Sequence, residues 1–227
     1  ININNKKNKE IMKKISIAIL MTFMTFNMAS AELGVNIGVS GQVGVFEARG
    51  TEKEATDSHS EEAMAAFGYT SLFIEKTLGS MITIGLDYVP TALESETSTY
   101  HRGDTDAASV VTTKLQKVQV DFDQFMTYYV SLNLTENFYI RGGWSSVDVT
   151  TKEVLATGSK YGDTSLDGTT FGAGYNKNFD SGVFLRAEAN VTEFGGVSLV
   201  SSTNSDNTVK IDDLNGVSAK ISIGKSF

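Results

Sequence analysis

The 227-residue chain has no cysteine, one proline and two histidines. Without cysteine it has no disulfide framework, no thiolate metal site and no cysteine nucleophile. The lone proline, Pro90, suits a chain made mostly of paired strands, because proline cannot donate to a ladder. Basic residues are in deficit and the net charge is −8, which argues against nucleic acid as a partner, since a phosphate backbone wants a basic face. His59 and His101 fall in predicted outer loops, beside Ser58/Ser60 and Tyr100/Arg102. No histidine is predicted on a barrel wall, so a His–Ser hydrolase is disfavoured, and no catalytic, metal or cofactor site is expected. Beyond Met28 no long apolar run occurs, so no further membrane helix is expected.

The single apolar run comes early. Residues up to Ile11 read as upstream sequence; from Met12 the chain shows Lys13 and Lys14, an apolar stretch over 15–28, then Ala29-Ser30-Ala31. A basic start, an apolar centre and a small-x-small end make a signal peptide with cleavage after Ala31. Residues 1–31 are then upstream sequence and leader, and residues 32–227 one domain. The leader holds five Lys and one Glu, so the mature domain carries 14 basic and 26 acidic side chains.

That domain alternates with period two, the signature of strands with two different faces. In the first strand Leu33, Val35, Ile37, Val39, Val43 and Val45 alternate with Gly34, Asn36, Gly38, Ser40, Gln42 and Gly44. Seven more predicted strands carry apolar faces. The second has Ala65, Phe67, Tyr69, Ser71 and Phe73; the third Ile82, Ile84, Leu86 and Tyr88. The fourth has Val118, Val120, Phe122, Met126, Tyr128 and Val130, with Gln124 breaking the face. The fifth has Phe138, Ile140 and Trp144, the sixth Phe171, Ala173 and Tyr175. The seventh has Val183, Leu185, Ala187, Ala189 and Val191, and the last Val217, Ala219, Ile221, Ile223 and Phe227. Connections over 76–80, 133–137 and 177–182 are short, and those over 47–62, 91–113, 150–165 and 194–212 are long. Up-and-down membrane barrels show this asymmetry. The expected fold is therefore all-β: a transmembrane up-and-down antiparallel barrel of about eight strands.

A soluble lipocalin-like barrel alternates too, with its faces reversed. Three features favour the membrane form. Charges sit on the polar faces: Asp87, Asp121, Arg141, Arg186, Glu188 and Lys220. Aromatics stand near strand ends on the apolar faces, with Phe73, Phe138 and Tyr175 toward the turns and Phe67, Tyr88 and Phe171 toward the loops, as interfacial girdles. The last strand ends on Phe227. In a barrel filled by its own side chains the six charges meet in the lumen, where a buried charge needs a partner. Two readings stay open for them: a structural ion-pair network, or a narrow polar gate that leaks small ions.

The terminal Lys220-Ile-Ser-Ile-Gly-Lys-Ser-Phe227, the Gly172-Ala-Gly174-Tyr175 strand and the Phe184-Leu-Arg186-Ala-Glu188 strand resemble the OmpA-like small outer-membrane β-barrel family. The resemblance spans residues 32–227. It implies a bacterial outer-membrane location and insertion by the outer-membrane assembly machinery, which reads the last strand, here Ile221, Ile223 and the terminal Phe227. Lys225 stands where the family often has an aromatic or apolar residue. Outer-membrane lipids and lipopolysaccharide are the expected surroundings, and a monomer the expected state. The expected role is structural and surface-interacting, with a small porin-like channel as the alternative. An outer-membrane enzyme or a soluble binder is less supported.

Overall fold

A computed structural model describes residues 34–54, 57–105, 111–155 and 159–227; the predicted leader and its cleavage site after Ala31 lie outside the described residues. The described chain is strand and turn, without helix. In order the strands are β1 (Val35–Glu54), β2 (Asp57–Leu78), β3 (Ile82–Tyr88), β4 (Leu93–Glu94), β5 (Ser98–Thr105), β6 (Val111–Asn133), β7 (Phe138–Val154), β8 (Thr164–Asn178), β9 (Val183–Phe194), β10 (Val197–Val200) and β11 (Asn207–Ser226). All pairings are antiparallel and run β1-β2-β3-β6-β7-β8-β9-β11. β1 pairs with β11 from Asn36↔Ser226 to Glu54↔Asn207, so the ladder returns to its start and the barrel closes at eight positions. The pieces β4 and β5 continue along β6, and β10 continues along β11.

Closure removes free edges at membrane depth, where an unpaired backbone group has no water to bond. Outward side chains there are apolar: Val39, Val43, Ile84, Val130, Ile140, Phe171, Leu185, Val217 and Ile221 are all exposed. On β9 this face runs from Val183 to Val191, about the length a tilted strand needs to cross a bilayer. Above it the outward face turns polar and acidic, at Glu47, Glu62, Asp123, Asp148, Asp167 and Glu193 on successive walls. Toward the short turns the outward residues include Lys76, Lys177 and Lys225.

Three expectations are corrected. First, much of the predicted long loops is strand. β1 and β2 stay paired out to Glu54↔Asp57, and β6 and β7 out to Lys117↔Val154. Above the membrane level neither face meets lipid, so the period-two signal fades while the ladder continues. His59 and His101 therefore lie on β2 and β5, both exposed, rather than in loops.

Second, the β2 face is reversed. Phe73, Ser71 and Tyr69 are buried in the lumen and Phe67 packs there too, while Leu72 and Ile74 look outward. Both faces of β2 are apolar, so alternation alone could not orient it. What fixes the face is size: Phe73 pairs in register with Gly38, and a Cβ on Gly38 would stand 2.4 Å from the Phe73 ring.

Third, the β6 face is split. The four residues Asp123 to Met126 oppose the three from Asp148 to Ser146, a β-bulge, with Gln124 at φ +54°. The amide of Gln124 is satisfied by Asp123 Oδ1 at 3.1 Å, and its side chain donates to Asp148 Oδ2 at 3.3 Å. Below the bulge Met126, Tyr128 and Val130 face out; above it Val120 and Phe122 pack inward and Asp121 lies on the opposite face. The residue that seemed to break the pattern is the one that inverts it.

Candidate functional site

The site is the lumen, and its contents follow from which small residues stand opposite large ones. Five inward aromatics each face an inward glycine in register: Phe73 and Gly38, Tyr129 and Gly85, Tyr139 and Gly174, Phe184 and Gly224, Phe46 and Gly216. A Cβ at any of these glycines would lie 2.3–2.4 Å from the ring or its hydroxyl, so each ring lies across the space the missing side chain leaves. The aromatics thereby fill the barrel by lying along its wall.

At mid-height six charges meet. Glu75 on β2 accepts from Arg186 at 2.6 and 3.0 Å, from Arg141 at 3.3 Å, from the Tyr129 hydroxyl at 2.8 Å and from Asn36 at 3.1 Å. Glu188 on β9 accepts from Arg141 at 3.0 Å and from the Tyr139 hydroxyl, and pairs with Lys220 at 2.7 Å. Lys220 on β11 also reaches Asp87 on β3 at 3.2 Å. The Arg141 guanidinium lies 3.7 Å from the Tyr129 ring centroid, and its Nε donates to Ser131 Oγ at 3.2 Å. Three carboxylates balance three cations, and all six residues are buried. Such a constellation is stable only when each charge is paired and hydrogen-bonded, which the tyrosines and the shared carboxylates provide.

Of the six charges expected in the lumen, the structure brings together Asp87, Arg141, Arg186, Glu188 and Lys220. Asp121 is not among them; above the bulge it lies on the face opposite Phe122, buried beside Gln119 and Lys152, with which it pairs. Glu75, the most heavily bonded member, was missed. Its signal was present: it continues Tyr69, Ser71, Phe73 at period two, so a lipid-facing Phe73 would have put a carboxylate in lipid.

Above the charges lies a hydroxyl ladder, Thr127 to Ser145 at 2.8 Å, Ser145 to Thr170 at 2.6 Å and Thr170 to Thr192 at 2.8 Å. The cavity between these groups measures about 30 Å³, room for a single water. Higher still an apolar plug crosses the barrel. Phe67 meets Phe46 at a tilt and Phe122 edge to face, with centroids 6.0 Å apart in each pair, and Phe125 sits 5.9 Å from Phe194. Val147, Leu166 and Leu214 pack against them, and about 20 Å³ remains between the rings. The bulge aims both Phe122 and Phe125 inward, which a regular strand cannot do at a spacing of three.

The expected girdle residues divide. Phe138 and Tyr175 are exposed and meet edge to face at 5.0 Å; Phe171 is exposed and Tyr88 half-buried on the outward face, whereas Phe67 and Phe73 are lumenal. Tyr128 and Trp144 stack at 6.2 Å on the outward face, a pair not singled out from sequence. Ile221, Ile223 and Phe227 are exposed.

No family model matches the chain, and no curated protein matches it. Solved structures do. The outer membrane protein OprG from Pseudomonas aeruginosa is similar at TM-score 0.50 and 11% identity, over 87% of this chain and 98% of that one. The outer membrane protease OmpT from Escherichia coli follows at 0.47 and 10%, over 88% and 99%. The attachment invasion locus protein Ail of Yersinia pestis stands at 0.33 and 13%, over 81% and 98%. At these identities the likeness speaks for the fold. The fold is that of the bacterial outer-membrane β-barrels, and the apolar belt suits an outer-membrane location.

Proposed function

We propose that the chain is a closed, structural outer-membrane barrel of the OmpA-like kind, which anchors a strand-built acidic extension outside the membrane for surface interaction. The observation that carries this reading is the double seal. A neutral ion-pair network and an aromatic plug occupy successive levels of the lumen and leave only about 30 and 20 Å³ between their side chains. The two histidines stand apart on β2 and β5 and neither joins the buried ion pairs; His59 lies at the outer end of the barrel, opposite Glu52 in register. Lipopolysaccharide and lipid would surround the belt, the assembly machinery would read Ile221, Ile223 and Phe227, and the protein would act as a monomer. The test is single-channel conductance of the refolded wild type in a planar bilayer. Silence at moderate voltage is expected. Discrete ion-carrying steps in the wild type would instead establish the channel reading.

A further inference from the structure

Beyond the aromatic plug, at the outer end of the barrel, lies a second cavity of about 250 Å³. Val118, Val120, Val149, Val209 and Ile211 line it. They do so because two irregularities reset the strand faces. The β6 bulge turns Val118 and Val120 inward, and on β11 the register passes over Asp212 between Arg49↔Asp213 and Gly50↔Ile211, which turns Ile211 and Val209 inward. At this level there is no lipid to receive them, so the inward turn builds an apolar interior outside the membrane.

Tyr161 roofs this cavity and is itself buried. Its amide donates to Glu153 Oε1 on β7 at 2.7 Å, and its hydroxyl to Glu52 Oε1 on β1 at 3.2 Å. The segment beside it is tied to the β10–β11 turn: the Ser202 amide donates to the Lys160 carbonyl at 2.8 Å, and Asn207 donates to Ser159 Oγ at 3.3 Å. The polar lining is acidic in balance, with Glu52, Glu61 and Glu153 beside His59, which stands opposite Glu52 in register; the Arg49 guanidinium is engaged by Glu47 at 2.8 Å and Glu62 at 3.2 Å. Burial pushes the Glu153 carboxyl up, and the Tyr161 amide and Lys160 only partly oppose this. A cation brought beside Glu153 would relieve that cost.

We propose that this cavity binds a compact organic cation, an apolar body bearing one ammonium group, with the body against the valine wall and the ammonium at Glu52 and Glu153. At about 30 Å³ per water-sized group, the space suits roughly eight to ten non-hydrogen atoms. The sign follows from the carboxylates in the lining, and the body from the walls.

The probe is 2-phenylethylamine, titrated calorimetrically into the detergent-refolded protein at neutral pH, with 2-phenylethanol and 3-phenylpropionate as neutral and anionic counterparts. Saturable one-to-one binding of the amine is expected, about ten-fold tighter than the alcohol, as a partly exposed charge-assisted hydrogen bond would give. The anion should not bind. Glu153→Gln should bring the amine down to the alcohol's affinity and leave the alcohol unchanged, while Thr151→Trp, which fills the cavity, should abolish both. Circular dichroism and unfolding establish that each variant is folded, and Glu52→Gln replaces Glu153→Gln if the latter is not. No saturable amine binding, equal binding of the anion, or binding untouched by Thr151→Trp would each overturn the assignment. The titration reads the same whether or not the barrel conducts, so it can fail independently of the closed-barrel reading.

Discussion

Glu75 holds more of the buried wiring than any other described residue, because one carboxylate serves two guanidinium groups, a tyrosine and an asparagine. Neutralising it leaves three lumenal cations facing two carboxylates. Glu75→Gln is expected to cost about 3–5 kcal/mol of unfolding free energy, the usual penalty for orphaning a buried charge. Adding Arg186→Gln restores the balance, so the double variant should lose less than the two singles summed. Denaturant unfolding of all three checks this, and plain additivity would count against a coupled network. Glycine makes a second test. Gly85→Ala drives a Cβ to 2.4 Å from the Tyr129 ring, whereas nothing lies within 4 Å of one at Gly41. The first should destabilise by about 1–3 kcal/mol as an overpacked site, and the second should be near neutral.

Among the strands, β9 was the most legible in sequence and β2 the least. On β9 the inward residues Arg186, Glu188, Asn190 and Thr192 are polar and the outward ones apolar, so alternation states the face outright. On β2 both faces are apolar, and the deciding information sits on another strand, in the glycine opposite Phe73. Cross-strand complementarity of that kind is invisible until the register is known. On β6 the break at Gln124 was visible, but its consequence was not, since an extra residue reverses every face beyond it. That one residue separates Asp121 from the lumen and sends Phe122 into it. The natural absence of cysteine allows a direct check of both faces. Leu72→Cys and Val130→Cys should react with a lipid-soluble maleimide in the folded, membrane-inserted protein, and Ser71→Cys and Phe122→Cys should be protected. The opposite pattern on β2 would restore the face that its aromatics first suggested.

For the molecule as a whole, the decisive property is that its two seals lie in series along one lumen. The ion-pair layer joins β2, β3, β7, β9 and β11, and the aromatic layer above it draws on β1, β2, β6 and β9 with support from β7, β8 and β11. Resistances in series are ruled by the larger, so breaching one seal leaves the barrel shut. Glu188→Gln removes one of the two carboxylate partners of both Arg141 and Lys220, leaving Glu75 and Asp87, and should lower stability by about 3–5 kcal/mol, yet its conductance should stay at the wild-type background. Phe122→Ala with Phe125→Ala hollows the plug but leaves the charges paired, and should also stay silent. Only the triple variant opens a continuous path. Its lumen then holds three cations and two carboxylates, so the leak should favour anions, because fixed charge in a narrow pore selects the opposite sign. Conductance and reversal potential under a salt gradient, measured on all three proteins, test this. If Glu188→Gln alone conducts, the aromatic layer is no seal and the ion pairs act as the gate; if the triple variant conducts cations, the charge balance assigned to the lumen is wrong.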